Sequence, residues 1–256
     1  MEGLKSNTVY LQSLQHENTI ICIQEHFLWD FEKDFIQSIM PTMSYHIRCH
    51  DHLEPLSGFK LPRGRGGVAI LWPKAWASKV KRLDEGNERI VAVTIAASKP
   101  ICLINAYLPT HDSGSHTEYL ECLDIIHSIF IKYQGTYEVI LCGDLNGTLL
   151  ETRSNKHDKS LRNFTAELQL STGIACGTTP TFYHHAGNST SQIDYILVQN
   201  KQLILLYKVL DKSPICSSAH VTVLANLNIT LPCASQAVNQ RQNKVTKLNW
   251  DRADQH

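Results

Sequence analysis

Residues Val139-Ile140-Leu141-Cys142 form an apolar run that breaks abruptly into Gly143-Asp144-Leu145-Asn146-Gly147. An apolar run this short, bounded by turn residues, reads as a buried strand. The fold must therefore set a carboxylate and a carboxamide at the mouth of a sheet. Oxygen groups held there can meet a hard cation and a phosphate. Asp-x-Asn-Gly is also ordinary turn chemistry, so the weight of the reading falls on other strand ends of the same kind.

Apolar and β-branched runs predict strands at 19–24, 68–72, 89–96, 101–107, 139–142, 181–185, 192–198, 203–210 and 221–228. Helical spacing predicts helices over 4–14, 31–40, 115–133 and 159–170. Many strands with a few interspersed helices argue for an α/β (α+β) domain of packed mixed sheets. The 43% apolar and 19% charged residues exclude a disordered chain, and the formal net charge of zero argues neither for nucleic acid nor against it. The eight cysteines contain no C-x-x-C pair, and several sit in strand-like runs, as small buried hydrophobes do in a reducing compartment. There is no secretory h-region and no apolar stretch of membrane-spanning length, so an intracellular protein without a membrane partner is expected. Residues 1–232 read as one domain and 233–256 as a polar tail or linker.

Five strand ends carry potential chemistry. Gln24-Glu25-His26 follows the first apolar run, and Glu25 can serve Mg²⁺, which prefers oxygen ligands. In Asn105-Ala106-Tyr107-Leu108-Pro109 the proline ends a strand and holds Tyr107 at its rim, where its hydroxyl can meet a phosphate oxygen. Asp144 can orient or deprotonate a water, with Asn146 placing it. Asp194 lies in the apolar run Gln192-Ile193-Asp194-Tyr195-Ile196, where an unpaired carboxylate is costly and a partner is required. Ser218-Ala219-His220 supplies a histidine whose tautomer and charge such a carboxylate would fix. Each has a bland alternative: a solvated Glu, a half-buried Tyr, a turn, a structural His.

Taken in order, this set resembles the endonuclease/exonuclease/phosphatase superfamily. Arg65-Gly66-Gly67-Val68-Ala69 and Thr179-Pro180-Thr181-Phe182 are similar to the apurinic-type endonuclease domain of LINE-type (non-LTR) retrotransposons. The tail Lys247-Leu248-Asn249-Trp250-Asp251 looks like the start of a linker toward a reverse transcriptase. The resemblance implies a four-layer sandwich of two mixed sheets flanked by helices. It implies Mg²⁺ or Mn²⁺ as cofactor, DNA as substrate, and nuclear residence for an enzyme acting on genomic DNA. Glu25 is then the metal ligand and Tyr107 the phosphate contact. Asp144 and Asn146 manage the attacking water. His220, held by Asp194, faces the reacting phosphate, and Asn105 and Arg65 bind substrate.

The chain departs from that pattern twice. The family's first strand, which precedes a Gly-Leu-Lys-like helix start, has no counterpart before Gly3-Leu4-Lys5, and Ala219 stands where the family usually has Asp. Three functions stay open at this level: a Mg²⁺-dependent endonuclease, an inactive retrotransposon relic that at most binds nucleic acid, and a phosphatase of the same fold. Arg63, Arg65, Arg153, Lys156, Lys159 and Arg162 are candidates for gripping a DNA backbone, or else form a solvated face.

Overall fold

The computed structural model describes residues 3–51, 64–173, 177–187 and 189–231. Arg63 and the polar tail at 233–256 lie outside them.

The described chain runs through α1 (Thr8–Ser13), β1 (Ile21–Gln24), α2 (Phe35–Ile39), β2 (Met43–Arg48), β3 (Val68–Pro73), β4 (Val80–Arg82), β5 (Ile90–Ile95) and β6 (Ile101–Tyr107). It continues through α3 (His116–Tyr133), β7 (Glu138–Asp144), α4 (Lys156–Glu167), β8 (Phe182–Tyr183), β9 (Thr190–Ser191), β10 (Asp194–Val198), β11 (Ile204–Val209) and β12 (Val223–Leu227).

A five-stranded sheet in the order β10-β7-β6-β5-β4 forms the centre. It is mixed: β6 and β7 are parallel, the other neighbours antiparallel. The parallel pair needs a crossover, and α3 provides it. Both faces of this sheet are covered, which is why its strands read as continuous apolar runs. Along β6, Cys102, Ile104 and Ala106 face α3 and α4, while Ile101 and Leu103 face the opposite layer. In β7, Val139 and Leu141 face the helices, and Ile140 and Cys142 face away. One face of α3 buries Tyr119, Cys122, Leu123, Ile126, Ile129 and Phe130, each aliphatic or aromatic side chain contributing about 1.5–3 kcal/mol.

The second sheet layer comes in two antiparallel pieces, β1-β3-β2 and β11-β12. Val68, Ile70 and Trp72 of β3 pack against the central sheet, and Ala69 and Leu71 against a third cluster with Leu4, Leu11, Ile36 and Met40. The order is therefore helices, split sheet, central sheet, helices: four layers, with no strand ahead of β1 among the described residues.

Three strands escape the sequence reading: β2, β4 and the two-residue β9. β2 alternates Met43, Tyr45 and Ile47 with Ser44, His46 and Arg48, as a half-exposed edge strand does, and has no long apolar run. β4 is only three residues long. The helix expected over 31–40 is divided into a 3₁₀ turn at Asp30–Glu32, whose start is capped by the Glu32 carboxylate accepting from the Trp29 amide, and the short α2. The helix expected from 159 starts earlier, at Lys156. There Asn155 and Asp158 cap each other's backbone amides in a reciprocal box.

Candidate active site

The candidate side chains gather at one end of the two sheet layers. β1 runs out into Glu25, whose backbone is left-handed (φ 57°) and whose amide donates to the Gly67 carbonyl at 2.9 Å. A non-glycine residue held there is strained, and the neighbours that hold it are identifiable. His26 is fully buried. Its Nδ1 accepts from the Leu28 amide and its Nε2 faces the Arg48 carbonyl, each at 3.0 Å, which fixes the neutral tautomer with the proton on Nε2. Burial pushes its pKa down to about 4, so it does not charge at working pH. Gly67 makes room for it: a Cβ at that position, where φ is +82°, would sit 2.3 Å from the imidazole. The His26 anchor thus sets where Glu25 points.

Tyr107, the last residue of β6, donates its hydroxyl to Glu25 Oε1 at 2.5 Å. Burial, then the Glu25 charge, raises the phenol far above its ordinary range, so it remains a proton donor throughout. The Arg89 guanidinium lies 5.4 Å from its ring centre and is itself held by Glu118 at 2.6 Å.

β7 delivers Asp144. The strand approaches β6 so closely that a Cβ on Gly143 would fall 1.9 Å from the Ala106 carbonyl oxygen, and Gly143 has φ 131°. Asp144 is 4% exposed, and its two oxygens accept from the Asn146 amide (3.0 Å) and carboxamide (3.3 Å). Asn146 is also left-handed (φ 45°) and donates to the Leu108 carbonyl at 2.8 Å.

The antiparallel register places Asp194 directly opposite Asp144. Thr181 Oγ1 accepts from the Ile193 and Asp194 amides, both at 3.0 Å, which fixes the strand entry. Asp194 grips His220 Nδ1 with both oxygens at 3.0 and 3.1 Å, and His220 Nε2 stands 3.8 Å from Asp144 Oδ2. The Phe182 ring covers the imidazole at 5.0 Å.

The electrostatics follow from this packing. Burial, reinforced by the Asp194 charge, pushes the Asp144 carboxyl up to about 7. Burial pulls His220 down, but the Asp194 and Asp144 carboxylates outweigh it and lift the imidazole to about 9. At neutral pH the site holds an imidazolium beside a carboxylate poised to accept a proton, a proper pairing for general acid–base work.

The ligand atoms of Asp144, Asp194 and His220 lie within 4.8 Å of one another, a spacing that suits a metal ion. The donor chemistry favours a different place. His220 is cationic, and Asp194 already spends both oxygens on it. Glu25 is a half-buried carboxylate at the end of β1, bonded to the Tyr107 hydroxyl. It suits a hard cation that takes one or two carboxylates and completes its shell with water and substrate phosphate.

Three expected residues sit elsewhere. Asn105, expected at the substrate, is fully buried: its amide donates to the Ile23 and Ala69 carbonyls at 2.9 and 3.0 Å, and its oxygen accepts from Gln24. It ties the central sheet to β1 and β3. Arg153 forks onto the fully buried Asp158, and Arg162 donates to the carbonyls of Thr148, Leu150 and Arg153. Both arginines brace the loop after Asp144. Arg65 is exposed, beside Gly66, whose Cβ position is 4.0 Å from the Tyr107 ring. The sequence reading had no supporting roles for Thr181, Phe182 or Asp158. The available signals were the Thr179-Pro180-Thr181-Phe182 string and the Asn155-x-x-Asp158 cap.

Residues 6–215 match the model of the Endonuclease/Exonuclease/phosphatase family. Among curated proteins none matches. A solved structure of the 3′ phosphatase NExo from Neisseria, bound to a product DNA hairpin, is similar at TM-score 0.66 and 18% identity, covering 89% of this chain and 96% of that one. The endonuclease domain of TRAS1, a telomere-specific non-LTR retrotransposon, is similar at TM-score 0.63 and 17% identity, covering 89% and 92%. An AP endonuclease from Archaeoglobus fulgidus is similar at TM-score 0.62 and 19% identity, covering 89% and 96%. With a family match over most of its length and this arrangement of strand ends, the chain belongs to the endonuclease/exonuclease/phosphatase family.

Proposed function

We propose that the chain is a divalent-metal-dependent phosphodiesterase that nicks DNA by in-line attack of water on phosphorus. The observation that carries this reading is the chain of contacts Asp194–His220–Asp144, which sets a buried base and an imidazolium side by side. Asp144, held by Asn146, takes the proton of the attacking water. His220 donates from Nε2 to the oxygen that gains charge, while Asp194 keeps its other nitrogen protonated. Tyr107 offers a hydroxyl to the same phosphate. Donors of this kind are worth roughly 3 kcal/mol each. Glu25 would hold the cation, Mg²⁺ or Mn²⁺, which when bound neutralises phosphate charge. Arg65, exposed beside Gly66, is the cation assigned to a DNA backbone.

The likeness to the TRAS1 domain supports an endonuclease module of a retrotransposon; we propose a reverse transcriptase as its neighbour in the parent element and the nucleus as its place of work. The likeness to a 3′ phosphatase supports a second reading, removal of a 3′ phosphate from a DNA end. Ala219, fully buried and without an oxygen to offer, supports a third, a folded relic that no longer turns over.

The test is conversion of supercoiled plasmid to open circles in Mg²⁺, beside the Asp144→Ala protein. Nicking that disappears in the variant supports the endonuclease. Release of inorganic phosphate from a 3′-phosphorylated hairpin without nicking supports the phosphatase. A folded wild-type protein inert in both assays refutes catalysis. Activity that survives Asp144→Ala refutes the assignment of the base.

A further inference from the structure

A cluster of imidazoles forms where the loop after β6 enters α3 and meets the start of α4. His111 lies in that loop, His116 is the first residue of α3, and His157 is the second of α4. The His157 ring is the centre of the group. His111 stands edge-on to it, with ring centres 5.0 Å apart and planes at 80°. His116 lies 5.7 Å away on centres. His157 is fully buried and held in place. Tyr119 stacks on it at 3.9 Å and is itself pinned by donating its hydroxyl to the Leu145 carbonyl at 2.9 Å. The reciprocal box of Asn155 and Asp158 fixes its backbone. Buried polar atoms need partners, and two here lack them. Among the described residues neither His157 Nδ1 nor His116 Nδ1 has a hydrogen-bond partner, although both are shut off from solvent. The other His157 nitrogen, Nε2, lies 3.4 Å from Ser115 Oγ. With the ring proton on Nε2 and directed at that oxygen, Nδ1 keeps a bare lone pair; the opposite tautomer would bury an N–H with nothing to accept it. Burial, reinforced by His111 and His116, pushes the His157 pKa down to about 4, so the lone pair persists at neutral pH. An imidazole with one nitrogen held by an oxygen and the other bare is arranged as a metal-ligating histidine is.

We propose that His111, His116 and His157 form a second metal site, for a borderline first-row cation with Zn²⁺ as its natural occupant. Three neutral imidazoles suit zinc, and a water completes the tetrahedron. Mg²⁺ does not fit, because it asks for oxygen ligands. The neighbouring carboxylates are engaged: Asp112 Oδ1 accepts from the Gly114 and Ser115 amides, and Asp158 grips Arg153. Closure on the ion takes a turn of two rings. Among the described residues only Asp144, Asp194 and His220 already hold three such ligand atoms within 4.8 Å. His111 is exposed and His116 half-buried, so both rings can rotate toward the fixed His157. The bound ion ties the loop after β6 to the start of α4, and through Tyr119 to the carbonyl of Leu145, the residue after Asp144. Binding there does not rest on the phosphodiesterase reading.

The experiment titrates the full chain, stripped with EDTA and dialysed, with Zn²⁺ in a background of excess Mg²⁺, and follows binding by isothermal titration calorimetry. A parallel titration with Co²⁺ reads ligand geometry from the visible spectrum, which is intense for a tetrahedral ion and weak for an octahedral one. The expected result is saturable binding of Zn²⁺, with the affinity lowered at least about tenfold in His111→Ala and in His157→Gln. The tetrahedral Co²⁺ spectrum of the wild type disappears in both variants. His111 is exposed, so His111→Ala keeps its fold and decides alone should His157→Gln unfold. His220→Ala binds Zn²⁺ as the wild type does. Binding lost in His220→Ala and retained in His111→Ala assigns the ion to Asp144, Asp194 and His220 and overturns the proposal. Unchanged affinity in His111→Ala, an octahedral Co²⁺ spectrum, or no saturable Zn²⁺ binding overturns it as well. A protein that binds Zn²⁺ at these histidines but does not nick DNA upholds the site and refutes only the catalytic reading, so the two failures are distinguishable.

Discussion

Asp194→Asn isolates the electrostatic logic of the site because it keeps shape and removes one charge. In the folded protein His220 rises from 6.5 to about 9 against a burial that alone would lower it. That rise corresponds to roughly 3 kcal/mol of preference for the imidazolium. Without the Asp194 charge the imidazole loses its main support and titrates below neutrality, as buried His26 does with a pKa of about 4. The same charge helps raise Asp144, so its removal lowers the pKa of the base as well. The signs combine as follows. Activity needs Asp144 deprotonated and His220 protonated, so the wild-type rate rises with pH through about 7 and falls through about 9. In Asp194→Asn both limbs move to lower pH, and the rate at about pH 7.5 falls roughly a hundredfold, as expected for a loss near 3 kcal/mol. Single-turnover plasmid nicking from about pH 5 to about pH 10 measures the profile, and NMR titration of the His220 imidazole measures the group itself. A loss that is uniform across pH, with the His220 titration unmoved, refutes the reasoning.

Three further outcomes follow from the geometry. Gly143→Ala forces a methyl to within 1.9 Å of the Ala106 oxygen at a φ of 131°, so thermal melting should show a loss of about 3 kcal/mol or more, with activity lost alongside. Arg153→Ala strands the fully buried Asp158 carboxylate. Urea unfolding should register about 3–5 kcal/mol, while Arg153→Ala/Asp158→Asn recovers part of it. Glu25→Gln should leave the melting temperature near that of the wild type and raise the Mg²⁺ concentration needed for half-maximal nicking by about tenfold or more, read from a metal titration of the rate.

The strands of the central sheet were legible because each is buried on both faces. Ile101–Tyr107 emerges with the bounds its apolar run gives, and the requirement that Asp194 find a partner follows from the cost of a lone carboxylate in an apolar strand. What the pattern hid were roles decided by neighbours distant in sequence. Asn105 looks like a strand-end polar group, but its register opposite Val91, beneath Ile23 and Ala69, commits it to backbone carbonyls. Arg153 and Arg162 look like a basic face. The buried Asp158 and three open carbonyls of the adjoining loop claim them instead. The edge strand β2 alternates polar and apolar residues and offers no continuous run to find.

The Asn105 tie bears on how the chemistry is held together. Glu25 belongs to the split layer and Asp144 to the central sheet, so the proposed cation ligand and the proposed base ride on separate slabs. A single carboxamide pins those slabs within a few residues of both groups, bonding to Ile23 two positions before Glu25 from a strand position paired with Cys142, two before Asp144. It works as a spacer: any slippage of one slab over the other changes the gap between the Glu25 and Asp144 carboxylates, which the proposed chemistry asks a phosphate to bridge.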